Sequence, residues 1–178
     1  MPKNDIFQFT KIIPQTIWSL SEVKNYLRIE GNYDDDLIAS LTDAAIIAAE
    51  NFTKLSIISK KLRFTCNIKN QRSFDLKYHP IKEISKISLI NNEEEIELQD
   101  NKYCISSDKP ILYLSDRFPY DKLIVEYLIG FNKGNIPQSI RHGVLIHIAE
   151  MYDRGRQNSN ILSLEIKNLY LPYRQPRI

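Results

Sequence analysis

The residues of this chain with the means to do chemistry are few, and their spacing works against it. The three histidines are His79, His142 and His147. Two imidazoles hold a metal from one helix face when they stand four residues apart. His142 and His147 are five apart in a stretch of helical spacing, so they point about 140° away from each other. Glu150 follows His147 by three residues, and a His–Glu pair without further ligands is a weak metal site. His79 precedes Pro80 in a turn signal, where a structural role fits better. Cys66 and Cys104 sit in strand-like runs, with no histidine near in sequence and no helix N-terminus to lower a thiol pKa. They read as two buried free thiols rather than a disulfide. The acidic clusters Asp34-Asp35-Asp36 and Glu93-Glu94-Glu95 look like ligand sets, but a helix cap explains the first and a solvated turn the second. The five glycines include no phosphate-cradling loop, and no G-x-S-x-G occurs. The residues therefore predict no catalytic group, no cofactor and no metal.

Composition narrows the class further. The 178 residues suffice for one domain, or a domain with an insert, and the apolar fraction of 43% suits a globular chain. Lys and Arg total 24 against 22 Asp and Glu, a net charge of +2, which argues against coating nucleic acid by charge alone. No apolar run approaches the ~18 residues of a membrane span. The N-terminus MPKNDIFQFTKIIPQTIW lacks a signal-peptide core, so an intracellular chain without a membrane partner is expected.

The elements that would position any site are two sets of helices with strands between them in sequence. Residues 1–18 show no firm periodicity and read as an extended arm, with Pro14 breaking any helix. Ser19 and Glu22 make an S-x-x-E capping box for a short helix in which Leu20, Val23 and Leu27 face inward. The longest helix is Asp34–Leu55, N-capped by its aspartates. Leu37, Leu41, Ala44, Ala45, Ala48 and Phe52 form its apolar face, which Ile38, Ala49 and Ile47 widen to roughly 200°. An arc so wide implies more than one neighbour. Ile46 falls on the otherwise polar face. From Ser56 to Gly130 the period changes to two, as in Leu62, Phe64, Cys66 and in Leu123, Val125, Tyr127, with turn signals between short runs. Helical spacing returns at Pro137, with Ile140, Val144, Ile148, Met151 and Tyr152 on one face and Ile146 off it. Gly155 ends that helix, Gln157 to Asn160 is a polar loop, and Leu162–Leu171 makes a last short helix that Pro172 stops.

The predicted class is α+β. It is a small helical bundle core, residues 19–55 and 137–171, with a β-rich antiparallel insert, residues 56–130, between the second and third main helices. All of it forms a single domain ending in a flexible tail, 172–178. Residues 154–178 carry Arg154, Arg156, Lys167, Arg174 and Arg177 against Glu165, interleaved with Tyr170, Tyr173 and Ile178. Pro172 and Pro176 favour an extended course. Such a segment suits a partner's groove, with Tyr170, Tyr173, Arg174, Arg177 and Ile178 as the docking candidates.

In order along the chain, these pieces resemble the head–tail connector (adaptor) family of tailed phages and gene-transfer particles. SLSEVKNYLRIEGNYDDDLIASLTDAAIIAAENFT resembles the family's short Leu-Ser helix, Asp-rich turn and Ala-rich helix. YHPIKEISKISLI resembles its Pro-led strand. VEYLIGFNKGNIPQSIRHGVLIHIAEMYDRGR resembles its strand, link, Pro-started helix and Tyr-x-x-Arg ending, although Gly155-Arg156 stands where many members have Glu. LYLPYR resembles its closing motif. The resemblance spans roughly residues 19–174.

It implies a structural virion protein, not an enzyme: a homo-oligomeric ring, a dodecamer in the particle, assembled in the host cytoplasm beneath the portal protein. Such a ring receives the tail-completion (head-closure or stopper) protein and lets DNA pass through its channel without sequence-specific binding. On that reading Ile46 and Ile146 are exposed in the monomer and buried between ring neighbours, and the C-terminal candidates dock on the portal. Two other classes stay in view. A small DNA-binding module is disfavoured by the near-neutral charge and by the three acids opening the long helix. A metal-binding enzyme would need ligands the sequence does not supply.

Overall fold

A computed structural model of the chain describes residues 5–68, 71–91, 94–106, 110–153 and 162–174. It is α+β and divides into two compact units. One comprises Met1–Pro14 with Ile58–Gly130, and the other Gln15–Ile57 with Phe131–Ile178.

The first unit holds the strands: β1 (Ile6–Ile12), β2 (Lys60–Asn67), β3 (Ser73–Asp75), β4 (Ile81–Asn91), β5 (Glu94–Glu97), β6 (Tyr103–Ile105), β7 (Ile111–Leu114) and β8 (Lys122–Ile129). Five of them form a sheet in the order β1-β2-β8-β4-β5, and three form a second sheet, β3-β7-β6. Period-two sequences build both. Leu62, Phe64 and Cys66 of β2 lie opposite Tyr127, Val125 and Leu123 of β8, while Lys61 and Arg63 point to solvent. On its other side β8 matches Val125 to Ile87 and Leu123 to Leu89 of β4. These side chains pack into one core with Phe74, Leu76, Leu112 and Leu114. Each buried Leu, Val or Phe contributes about 1.5–3 kcal/mol to that core. Tyr127 is buried there, and its hydroxyl donates to the Lys77 carbonyl at 2.8 Å. Gly130 ends β8 with φ +105°, and a β-carbon there would lie 2.6 Å from the Ile58 carbonyl oxygen, so only glycine fits.

Two expectations change here. Part of the N-terminal arm is β1, a strand antiparallel to β2, in which Phe7 stacks on Phe64 with centroids 4.5 Å apart. Cys66 is buried as expected, but Cys104 is exposed, and both are free thiols. Cys104 shares a face of the small sheet with its partner Tyr113, itself 40% exposed, so that position faces water rather than core.

The second unit holds the helices α1 (Leu20–Leu27), α2 (Asp35–Thr53), α3 (Gln138–Asp153) and α4 (Leu164–Tyr170), with single 3-10 turns at Lys133–Asn135 and Leu171–Tyr173. Ser19 caps α1 by accepting from the Glu22 N–H at 3.2 Å. The Glu22 carboxylate does not complete the capping box; it pairs with Arg141 of α3, whose guanidinium also lies over the Trp18 ring. Lys24 staples the turn between α1 and α2, donating to Gly31 O, to Asn32 Oδ1 and to Asp35, with which it forms an ion pair at 2.7 Å. Asp34 stands at the N-cap of α2 but makes no side-chain cap bond. Its carboxylate instead accepts from the Tyr152 hydroxyl at 2.7 Å, tying the start of α2 to α3.

The buried face of α2 is turned from the one the apolar spacing predicts. Ile38, Ala45, Ile46, Ala49 and Thr53 are buried, whereas Leu37 is 49% and Ile47 56% exposed. Ile46 is therefore not a surface residue; it is 5% exposed. Threonines cause the misassignment. Thr42 and Thr53 donate back to the carbonyls of Ile38 and Ala49, each at 2.7 Å, so hydroxyl side chains can stand on the buried side with their bonds satisfied. Ile146 of α3 is half-buried rather than fully exposed.

Candidate functional site

The groups considered for chemistry do not converge. His142 is exposed and meets Tyr26 edge-on at 6.2 Å, while His147 is buried on α3. Burial lowers the His79 pKa. Burial, with the negative Asp5 adding to it, pushes the Cys66 thiol up to about 12, which leaves it an inert core sulfur. Among the described residues no group of three or more His, Cys, Asp or Glu side chains is placed to hold a metal ion.

What the helical unit offers instead is surface. The residues Leu37, Leu41, Ala44 and Ala48 follow at helical spacing along one side of α2, and none of them is buried. The wide apolar arc is thus split: one side packs within the unit, and on the other Leu37 and Ala44 are exposed while Leu41 and Ala48 are half-buried. Tyr33, just before α2, is fully exposed, and Leu164 and Leu171 flank α4 at 73% and 56% exposure. Large apolar side chains on water are ordinary one at a time; Tyr33, Leu37 and Ile47, all on or beside α2, supply a candidate contact surface.

The C-terminal candidates separate into two kinds. Tyr170 belongs to the core of its own unit: it is fully buried, against Phe52 at 6.1 Å and directly over Gly143. It is withdrawn as a docking residue, because an anchor must be exposed before its partner arrives. Ser163 caps α4 by accepting from Ile166 N–H, and the Leu171–Tyr173 turn then carries the chain past Pro172. The chain therefore does not leave the body at Pro172 as expected. Arg174 sits with its guanidinium 5.3 Å from the Phe52 ring centroid, and Tyr173 is half-buried. Arg177 and Ile178 lie outside the described residues, as do Arg154, Arg156 and the polar loop 157–160.

The strand unit contributes a further surface, on the N-terminal segment that the sequence reads as an extended arm able to lie across a neighbour. On β1, Ile6, Phe9 and Ile12 are 60%, 49% and 63% exposed. Phe9 meets Tyr78 edge-on at 5.0 Å, and Lys77 lies over Phe7. The sequence carries no period-two signal here: Ile6 and Phe7 are adjacent apolar residues, and the burial along β1 does not alternate.

Comparison with known proteins gives this surface a context. The family model described as "Head completion protein" matches residues 16–159. The chain belongs to that family. Membership of the head completion proteins gives it a structural role at the head–tail connection, in line with the connector resemblance. Solved structures share its fold at low identity. A chain in the neck of an empty gene transfer agent particle, computed with C6 symmetry, is 17% identical, covers 97% of both chains and has a TM-score of 0.75. A chain in the virion of the native gene transfer agent particle gives 17%, 97% of both chains and 0.76. One in the neck of the native particle, computed with C12 symmetry, gives 17%, 97% of both chains and 0.74. No curated protein matches the chain.

Proposed function

We propose that this head completion protein forms a homo-oligomeric ring, twelve copies in the particle, beneath the portal protein. The ring receives the tail-completion protein on its other side and lets DNA through its channel without reading sequence. Such a protein resides in the virion or gene-transfer particle and does no catalysis. The observation that carries this reading is the family match over residues 16–159, joined to a fold shared with chains from particle necks computed with sixfold and twelvefold symmetry.

The surfaces suit such a role. The exposed Leu37, Ala44 and Ile47 of α2, with the half-buried Ile146 on α3, supply apolar area for neighbouring copies or partners. Tyr173, Arg174, Arg177 and Ile178 form the portal-docking segment, in which aromatic anchors outweigh rim charges. Mixing the purified chain with its portal and measuring the mass of the complex tests the reading. A complex carrying many copies per portal supports it; portal and chain migrating separately at micromolar concentration contradicts it.

A further inference from the structure

We propose that copies of this chain join edge to edge through the five-stranded sheet, with β1 of one copy lying along β5 of the next. The proposal rests on the ring reading above and names the contact that closes it.

The two ends of the sheet are unpaired and unlike. Among the described residues β1 pairs only with β2, and β5 only with β4. A long, exposed apolar edge such as β1 is a template for another strand, and proteins that keep one use it. The edges also carry opposite charge. At the β1 end Lys11 and Lys61 are directly opposite each other, both exposed, and among the described residues neither is in an ion pair. Like charges facing across a strand pair are unfavourable unless an acid joins them. At the far end Glu94 and Glu97 of β5 are exposed, and among the described residues they too have no ion-pair partner.

Between the ends, charge alternates across one face of the sheet. Arg63 of β2 pairs with Glu126 of β8 at 2.5 Å. Glu126 lies opposite Lys86 of β4. Lys86 pairs with Glu95 of β5 at 2.7 Å. The row begins basic and ends acidic, so a second copy placed beside the first continues it with the right sign. A contact between two different patches is heterologous, the kind that closes a ring rather than a dimer. Each neighbouring pair in the sheet is antiparallel. β1 and β5 therefore run the same way, and the joint between copies is a parallel one, with Phe9 and Ile12, on the core-facing side of β1, brought towards Ile96 on the same side of β5.

The test uses two reversed variants of the full chain, assembled on purified portal and weighed by mass photometry. Lys11→Glu with Lys61→Glu makes both edges acidic. Glu94→Lys with Glu97→Lys makes both basic. Each alone is expected to need at least tenfold more protein to load the portal with multiple copies. An equimolar mixture, in which the edges alternate in sign, is expected to load as wild type does, which also shows that both variants fold. Zero-length carbodiimide coupling of the wild-type assembly gives a second reading. β1 and β5 are about 19 Å apart across one sheet, so a Lys11 or Lys61 link to Glu94 or Glu97 joins two copies. Variants that each load like wild type, with no such link, overturn the edge contact while the ring stands. Wild-type chain that never loads in multiple copies overturns the ring and this contact together.

Discussion

The ring of Tyr170 fills the space beside Gly143 that a side chain would occupy. A β-carbon on Gly143 would lie 2.5 Å from Tyr170 Cε1 and 3.0 Å from Cζ. Gly143 stands in the middle of α3, where glycine costs a helix about 1 kcal/mol relative to alanine. Its presence is explained by α4: the helix closes over α3 only if the tyrosine can reach the backbone. Gly143→Ala is therefore expected to destabilise by about 1–2 kcal/mol despite its better helix propensity, because overpacking a full core costs about 1–3 kcal/mol. Combining it with Tyr170→Leu should recover part of the loss, leaving a coupling above about 0.5 kcal/mol in chemical denaturation. Strict additivity would show that the two residues do not share this space.

Two buried tyrosines with different hydroxyl environments make a second, paired test. Tyr127 donates to Lys77 O, whereas no described residue bonds the buried Tyr170 hydroxyl. Tyr127→Phe should cost about 1 kcal/mol, and Tyr170→Phe should be neutral or stabilising, since it removes an unsatisfied group. Burial is the main cause raising both phenol pKa values, with Tyr78 adding at Tyr127. The folded state thus holds these protons more tightly than the unfolded state. The corresponding stability is complete below the ordinary tyrosine pKa of about 10 and is lost as pH rises through the raised folded values. Wild type should lose stability above about pH 10, and Tyr170→Phe should lose less of it. Equal slopes for the two proteins would contradict this assignment.

Lys54 closes α2 in the left-handed region, with φ 63° and its N–H donating to Glu50 O at 2.9 Å. Glycine takes that conformation without strain. Lys54→Gly should raise stability by about 0.5–1 kcal/mol, seen as a higher denaturation midpoint; a lower midpoint would mean that the lysine side chain contributes more than its backbone strain costs.

At the C-terminus the burial of Tyr170 leaves the proposed docking segment to begin after it. Truncation after Arg174 keeps Tyr170 on Gly143 and Arg174 over Phe52, so the circular dichroism spectrum and melting curve should match those of the full chain. Portal affinity should fall at least tenfold, and Tyr173→Ala should weaken it more than Lys167→Ala. If the losses instead track charge and grow steeply with salt, the segment lines the DNA channel and does not fill a portal groove.

Period carried most of what was legible in the sequence. The α+β class follows from the switch to alternation after Ser56 and the return of helical spacing at Pro137, because side-chain geometry ties those periods to strands and helices. The end of α4 before Pro172 was legible from local chemistry, and so was the Ser19 cap. Ile46 was misplaced because Thr42 and Thr53 look polar in a sequence but satisfy themselves on their own helix. Tyr170 was misplaced because a tyrosine among arginines resembles a surface anchor, and only Gly143, twenty-seven residues earlier, makes room to bury it. The pairing of β1 with β2 escaped notice because it joins residues 48–59 positions apart, which no local pattern records.

The proposed role of this chain is the ring between portal and tail. Electron microscopy of the protein assembled on its portal tests it most directly. A closed ring of twelve copies against the portal is expected, with a central channel wide enough for duplex DNA. A portal that carries no added ring, or single copies scattered on its surface, would contradict it.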